Sequence, residues 1–344
     1  MQKVIKIAAA VAALALAASA CGSTKDKAAP AAGSGGGGKV GATVPLLTSP
    51  FWQAYNGYVP KMAQEAGIEA LPTVNADSDP AKLITDMNTL LNQGVKGMVV
   101  TPLDSAAVVA GLNQAERKGV PVVAVDVAPE SGKVAMVVRA DNKAYGTKAC
   151  DAIGEKVKQG KVVQVMGDLA SVNGRERSEA FRECMKSYPG VQVLEIPAEW
   201  KADKAASGLE SLLTANPDVK GVYLQAGGVY LAPALQTLRR KNLFFPAGDP
   251  KHIVLLSNDG IPQELAAIRA GELDATVSQP ADDYAKYGVY WIKKAMAGET
   301  FKAGPTDHGS TVVESRPGIL EDQLPAPVIT RANVDDKALW GNNL

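Results

Sequence analysis

Side chains that make two hydrogen bonds at once, and flat aromatic side chains, recur where short apolar runs of this chain end. They are Ser49, Phe51, Trp52, Asp126, Arg177, Trp200, Gln225, Asp259 and Gln279. Carboxylate, guanidinium and carboxamide groups pair with vicinal hydroxyls, and aromatic rings cover the C–H faces of a sugar ring. Each hydrogen bond to a charged group contributes roughly 1.5–3 kcal/mol. The residue types therefore predict a site for a small polar ligand with apolar faces, such as a monosaccharide.

The elements that must position these side chains are apolar runs that alternate with amphipathic helical stretches from Lys39 onward. The predicted strands are 40–47, 68–74, 97–100, 120–125 and 134–138 in a first set, and 161–166, 191–196, 221–225, 252–257 and 275–278 in a second. They are apolar throughout, as expected for parallel strands covered by helices on both faces. Two such sets predict an α/β chain of two doubly wound parallel-sheet domains, whose ligands bind beyond the carboxyl ends of the strands.

Residue types at the helix ends support this pattern. Asp79 supplies an N-cap, Pro80 follows at the first helical position, and Gly94 ends the same helix. Pro60 conflicts with the helix predicted over 52–66, because proline lacks the N–H that an interior turn requires. The sequence predicts a kink or a later start for that helix.

Residues 1–20 have the layout of a secretory signal peptide. Two lysines precede an uninterrupted apolar run over 7–20 that is too short to span a bilayer permanently. Small residues before Cys21 predict a bacterial lipoprotein signal, in which the cysteine thiol is lipidated and becomes the mature N-terminus. The alternative is an ordinary signal peptide followed by an incidental cysteine.

Residues 21–39 are predicted to form the lipid anchor and a flexible Gly/Ser-rich linker. A coil of about 18 residues has a root-mean-square reach of roughly 23 Å. We therefore expect an extracytoplasmic protein that is lipid-anchored to the cell membrane, either in the periplasm or at a Gram-positive cell surface.

The overall charge and the reactive side chains exclude several classes of function. Lys plus Arg and Asp plus Glu each number 36, so the formal net charge gives no attraction to nucleic acid. His252 and His308 stand apart from any nucleophile, and no G-x-S-x-G, H-E-x-x-H or C-x-x-C motif occurs. The sequence predicts a binding protein rather than an enzyme, with no cofactor and no metal. Cys150 and Cys184 form a disulfide in an oxidising compartment or remain two buried free thiols.

Several motifs occur in order along the chain: S-P-F-W (49–52), T-P-L-D-S-A-A-V (101–108), V-P-V-V-A-V-D (120–126), G-R-E-R-S-E-A-F (174–181), P-A-E-W (197–200), N-D-G (258–260) and A-T-V-S-Q (275–279). Through these motifs the chain resembles the ribose-type periplasmic sugar-binding proteins of ABC transporters from about Val40 to Gly298. The resemblance implies the type I periplasmic-binding-protein fold, in which a three-crossing hinge joins the two domains.

The resemblance also implies roles for the residues at the strand ends. Phe51 and Trp52 are expected to cover one face of the ring with Ser49 hydrogen-bonding nearby, and Trp200 to close the opposite face. The hydroxyls are expected to be held by Asp126, Arg177, Asp259 and Gln279.

Two positions depart from the ribose-type pattern. Val127 stands where ribose binders follow the aspartate with arginine, and Ala226 stands after Gln225 where they have asparagine. Both changes remove a polar contact. They argue against ribose and favour a deoxy-sugar, a polyol or a more apolar ligand.

The resemblance sets the expected domains and partners. Residues 40–140 and 281–303 are predicted to form the N-terminal domain, and residues 141–280 and 304–344 the C-terminal domain, with crossings near 140/141, 279/280 and 303–310. A monomer is expected to deliver its ligand to ABC permease subunits in the membrane. A surface receptor of the same fold that signals to a membrane partner is the alternative, and the neighbouring genes discriminate the two.

Overall fold

The structure is a computed structural model that describes residues 38–344. The predicted signal peptide, the lipidation of Cys21 and nearly all of the predicted linker lie outside the described residues. None of the helices between residues 38 and 344 combines the length and the apolar composition that a bilayer crossing requires.

Strands and helices alternate along most of the described chain. The strands are β1 (Val40–Val44), β2 (Val74–Asn75), β3 (Gly97–Val100), β4 (Val122–Val125), β5 (Met136–Ala140), β6 (Gly160–Met166), β7 (Val191–Pro197), β8 (Val219–Leu224), β9 (Val254–Asp259), β10 (Ala275–Ser278), β11 (Gly304–Pro305), β12 (Thr311–Arg316), β13 (Ile319–Leu324) and β14 (Val328–Thr330). The helices are α1 (Pro50–Glu65), α2 (Pro80–Asn92), α3 (Val109–Arg117), α4 (Asn142–Val157), α5 (Val172–Met185), α6 (Ala202–Ala215), α7 (Gly227–Arg240), α8 (Pro262–Ala270) and α9 (Ala281–Met296).

The first domain is a sheet in the order β11-β12-β13-β5-β4-β3-β1-β2. Its strands from β13 to β2 are parallel, and β11 and β12 add an antiparallel edge. Val99 and Val123 pack with α1 and α9 on one face of the sheet. Met98 and Val122 pack with α2 and α3 on the other. Burial on both faces explains why these strands are apolar without alternation.

The second domain is a sheet in the order β14-β10-β9-β8-β6-β7, parallel except for β14. Val163 and Val222 pack with α6, α7 and α8 on one face. Val162 and Tyr223 pack with α4 and α5 on the other. The predicted fold class, two α/β domains with mainly parallel sheets, is confirmed.

Helix ends follow the residue types that the sequence offers. The side chain of Asp79 accepts hydrogen bonds from the backbone N–H groups of Ala81 and Lys82 at 2.8 and 3.3 Å, which caps α2. The helix α1 runs without interruption through Pro60. Pro60 is exposed, so water can hydrate the carbonyl that lacks its usual N–H partner.

The chain passes between the two domains at Asp141, at residues 279–280 and at residues 325–327. The expectation of a third crossing near 303–310 is wrong. Residues 304–324 form β11 to β13, and β13 pairs in parallel with β5 of the first domain. Only residues from 328 onward join the second sheet, through β14. The predicted assignment of 304–344 to the C-terminal domain therefore holds only for the final segment.

Cys150 on α4 and Cys184 on α5 lie together in the second domain. Their Sγ atoms are 1.99 Å apart and their Cα atoms 6.1 Å apart, the arrangement of a disulfide. The two cysteines are separated by 34 residues in the sequence. A closed loop of that length stabilises a fold by about 4 kcal/mol in the chain-entropy account.

We expect thiol labelling of the denatured, unreduced protein to find neither Cys150 nor Cys184 reactive. Reduction should lower the free energy of unfolding by roughly 2–4 kcal/mol, measured by urea titration with and without reductant. A Cys150→Ser, Cys184→Ser double variant serves as the control, because reductant should leave its unfolding midpoint unchanged. Two labelled thiols in the unreduced protein would contradict the bridge.

Candidate ligand-binding site

A cavity of about 290 Å³ opens between the two domains. Both domains line it, and the lining includes eight of the nine predicted ligand contacts: Ser49, Phe51, Trp52, Asp126, Arg177, Trp200, Asp259 and Gln279. The apolar side chains of the lining include Leu46, Leu103, Val127, Ala226 and Val229. The lining thus combines charged, hydroxyl and amide side chains with apolar and aromatic ones, and such polar groups fix the orientation of a ligand.

The strand ends place the polar groups of the cavity. Asp126 directly follows β4, Asp259 ends β9 and Gln279 directly follows β10. Parallel strands bring their carboxyl ends to one edge of each sheet, and the two edges face each other across the cavity. The backbone at Asp126 and Asp259 has φ angles of 69° and 134°. Such conformations are rare for residues other than glycine, and they turn both side chains toward the cavity.

Arg177 on α5 holds the floor of the cavity together. Its guanidinium donates through Nε to Asn142 Oδ1 at 2.6 Å, through one terminal nitrogen to the Gln225 carbonyl at 2.6 Å, and through the other to Gln279 Oε1 at 2.9 Å. Arg177 is only 2% exposed. Its guanidinium also lies over the Tyr145 ring at 4.9 Å and over the Trp200 ring at 5.6 Å. These contacts hold Arg177 in one orientation.

Asp259 accepts hydrogen bonds from the Gly228 N–H at 2.7 Å and from Gln279 Nε2 at 2.9 Å. Burial raises the pKa of its carboxyl to about 6, although these donors and the charge of Arg177 act in the opposite direction. Behind it, the buried Glu264 accepts from the N–H groups of Gly260 and Ile261 at 2.6 and 2.9 Å. These bonds hold the turn that presents Asp259.

Within the first domain, Asp126 lies next to Tyr284 of α9. The Tyr284 hydroxyl accepts from the Ala140 N–H at 3.0 Å and lies 3.4 Å from Asp126 Oδ1. Burial raises the pKa of the Asp126 carboxyl, while the charges of Arg177 and Arg139 and a hydrogen bond from Asn173 lower it. The Asp126 carboxyl lines the cavity beside these groups.

Aromatic rings form two walls of the cavity, one from each domain. Phe51 and Trp52 meet edge to face with ring centroids 4.9 Å apart. In the second domain the Trp200 ring stacks near the Tyr230 ring. The Tyr230 hydroxyl accepts a hydrogen bond from the backbone N–H of Trp200 at 2.8 Å. A side chain on Gly167 would collide with the Trp200 ring, since a Cβ there would lie 1.9 Å from it. Glycine at 167 is what permits this wall.

Gln225 is the predicted contact that does not line the cavity. Its side chain accepts from the Gly167 N–H at 2.8 Å and donates to Ser178 Oγ at 2.9 Å, and the residue is fully buried. The expected ligand contact at Gln225 is therefore corrected: the side chain supports the residues behind the cavity and does not line it. Gln225 fixes the Gly167 turn and offers its carbonyl to Arg177.

Asn173 lines the cavity but was absent from the sequence-based set. It lies one helical turn before Arg177 on α5, and its Oδ1 accepts from an Arg139 terminal nitrogen at 2.8 Å. The spacing of four residues was the available signal, because it puts both side chains on one face of the helix.

A sequence profile described as a periplasmic binding protein domain matches residues 40–300. The chain belongs to this family. The match confirms the predicted resemblance of this chain to periplasmic binding proteins. The ribose import binding protein RbsB of Salmonella typhimurium is 27% identical over 267 residues, which cover 77% of this chain and 86% of that protein. The D-apiose import binding protein of Actinobacillus succinogenes is 26% identical over 75% of this chain and 81% of that protein.

Solved structures share the architecture of this periplasmic binding protein. An ABC transporter solute-binding protein from Mycobacterium smegmatis with bound glycerol is 26% identical, with a TM-score of 0.75 over 87% of this chain and 96% of that one. A Caulobacter myo-inositol binding protein bound to myo-inositol matches with a TM-score of 0.75 at 22% identity, over 89% of this chain and 97% of that one. The second likeness concerns the fold alone.

Proposed function

We propose that this protein is the extracytoplasmic solute-binding component of an ABC import system. It binds a monosaccharide or a related small polar ligand between its two domains and delivers it to a membrane permease. The observation that carries the proposal is the cavity, in which Asp126 of the first domain and Asp259 of the second face the same space. The family of the chain and the import proteins among its relatives support the same function.

The proposed binding mode assigns each group a physical task. Asp126 and Asp259 accept hydrogen bonds from ligand hydroxyls, and the N–H groups that Arg177 has left donate to ligand oxygens. Trp52 and Trp200 cover the apolar faces of the ligand from opposite domains. Because the ligand contacts both domains, it binds the closed arrangement better than an open one and stabilises closure about the three crossings.

The apolar positions of the lining narrow the ligand. Val127 is 6% exposed and Ala226 is 8% exposed, and both contribute to the cavity wall without a donor or acceptor in the side chain. A hydroxyl placed against either residue would lose its hydrogen bonds to water without replacement, which is costly. The ligand therefore carries fewer hydroxyls than ribose at the positions that face Val127 and Ala226, as a deoxy-sugar or a simple polyol does.

We further propose that Cys21 carries the lipid that anchors a monomeric protein to the outer face of the cell membrane. The run of small residues before Cys21 supports this assignment, and the Gly/Ser-rich segment that follows would let the binding domains turn near the permease. No catalytic role is part of the proposal.

The test is a thermal-shift screen of the full chain in a detergent without a sugar headgroup, against pentoses, hexoses, deoxy-sugars, polyols and nucleosides. A ligand at a hundred times its Kd adds about 2.7 kcal/mol to the free energy of unfolding. We expect a rise in Tm of roughly 5 °C for one chemical group of compounds. A cooperative melt that no compound shifts would refute a sugar-like ligand.

A further inference from the structure

Two carboxylates of the cavity are buried without a cationic partner. Asp126 is 7% exposed and Asp259 is 3% exposed. Within residues 38–344, no nitrogen of a lysine, arginine or histidine lies within 4.0 Å of a carboxylate oxygen of either residue. Buried charges in proteins are generally paired, because transfer of an unpaired ion out of water is expensive.

Two other buried carboxylates of the same chain follow that rule, since Glu321 lies 3.5 Å from Arg139 and Asp274 contacts both Lys156 and His252. The buried Asp322 instead accepts a hydrogen bond from Trp291 at 2.7 Å and lies 2.9 Å from the His308 ring, which is charged only when protonated. Glu264 has no ion pair among residues 38–344, but it is sealed from the cavity and accepts hydrogen bonds from two backbone N–H groups and two hydroxyls. Asp126 and Asp259 are distinguished by facing the cavity between the domains.

The cations of the cavity do not neutralise these carboxylates. Arg177 directs its guanidinium to Asn142, Gln225 and Gln279 instead, all of them neutral acceptors. Lys201, the other basic residue of the lining, is more than half exposed and pairs with Glu199 at 3.3 Å. The acidic residues of the lining outnumber these two; they are Asp104, Asp126, Asp168, Glu199 and Asp259.

The two carboxylates have lone pairs that their neighbours leave available for further hydrogen bonds. Val127 follows Asp126 in the wall and supplies no charge. An ionised carboxylate has about four acceptor sites, and Asp259 uses two of them, on Gly228 and Gln279. Burial raises the pKa of both carboxyls, while the charge of Arg177, joined by that of Arg139 at Asp126, acts in the opposite direction.

We infer that the ligand of this cavity carries a protonated amine, as an amino sugar or an amino-cyclitol does, and that its ammonium pairs with Asp126 and Asp259. The inference rests on the proposed function and names the ligand class of the same site. Hydrogen bonds between ions are about twice as strong as neutral ones, and the ammonium would supply three donors. The Trp52 and Trp200 rings favour a cation as well as a C–H face.

The first experiment compares matched probes at about pH 7 on the full chain by calorimetry: D-glucosamine, D-glucose and N-acetyl-D-glucosamine, with the corresponding galactose set. We expect each amine to bind at least 10-fold more tightly than its neutral parent and its uncharged N-acetyl form. In the Asp126→Asn variant that preference should fall to about 3-fold or less. A Glu183→Gln variant, which removes an exposed charge on α5, should keep the full preference.

The outcomes separate the inference from the proposed function. A neutral sugar that binds as tightly as its amine overturns the inference and leaves the proposed function standing. If no member of either set binds, the inference is overturned, and a silent wider screen then overturns the proposed function as well.

A second experiment does not depend on the identity of the ligand. Val127→Lys places a cation in the wall beside Asp126, and Val127→Met adds a side chain of comparable length without charge. We expect the ligand-free lysine variant to melt about 2–4 °C above the methionine variant near neutral pH. An equal or lower Tm for the lysine variant would show that the two carboxylates need no cation and would overturn the inference.

Discussion

Replacing Asp126 by alanine is expected to weaken ligand binding by roughly 100-fold or more. The substitution removes an acceptor of two hydrogen bonds to the ligand, each worth roughly 1.5–3 kcal/mol for a charged group. Calorimetry with the compound that gives the largest thermal shift measures the change. The effect is large because Asp126 faces the cavity with almost no access to bulk water, so no solvent molecule outside the site replaces the lost contact.

The same substitution is expected to leave the fold nearly intact. Alanine at a φ angle of 69° costs roughly 1–2 kcal/mol of backbone energy, and removal of a buried unpaired carboxylate offsets part of that cost. Urea unfolding should therefore give a midpoint close to that of the native chain. The matched control is Glu183→Ala, because Glu183 is exposed and pairs with the exposed Lys186 at the surface. Retained affinity in Asp126→Ala would refute the placement of the ligand against β4.

Replacing Arg177 by methionine is expected to destabilise the protein by at least ~3 kcal/mol and to abolish binding. Methionine fills a comparable volume, but it removes the donors to the oxygens of Asn142 and Gln225 and leaves Gln279 Oε1 with only the longer bond from Tyr284 at 3.3 Å. Each buried acceptor left unsatisfied costs about 1–3 kcal/mol. The measurement is the free energy of unfolding from a urea titration followed by circular dichroism.

Arg182 on the same helix provides the matched control for Arg177. Its side chain is half exposed and lies 3.4 Å from Glu195 at the surface. An exposed pair of this kind contributes about 1 kcal/mol or less. Arg182→Met should therefore change the free energy of unfolding only slightly and leave ligand affinity unchanged. If Arg177→Met behaves like Arg182→Met, Arg177 does not organise the floor of the cavity.

The strand ends were predictable because parallel strands buried on both faces leave an apolar signature that ends abruptly. Asp126, Asp259 and Gln279 each stand at such an end, so the sequence placed them at the cavity edge without any knowledge of the structure. Gln225 also follows a strand, yet its side chain points behind the cavity to Gly167 and Ser178. Position at a strand end does not reveal on which side of the edge a side chain lies.

The third crossing was not predictable by the same signature. The strands β12 and β13 carry charged residues, among them Glu314, Glu321 and Asp322, and therefore do not read as apolar runs. Two of these charges meet partners from distant parts of the chain: Glu321 pairs with Arg139 of β5, and Asp322 accepts from Trp291 of α9 at 2.7 Å. Pairings of this kind depend on the folded arrangement and leave no periodic pattern in the sequence.

The four tryptophans of the chain divide into two pairs with different surroundings. Trp52 and Trp200 line the cavity from opposite domains and are partly exposed, whereas Trp291 and Trp340 are 8% and 3% exposed and are not part of the cavity lining. Indole emission responds to the polarity around the ring. The first pair therefore exchanges water for ligand when the cavity fills, while the second pair gives a constant background, so the protein carries its own optical reporter of occupancy.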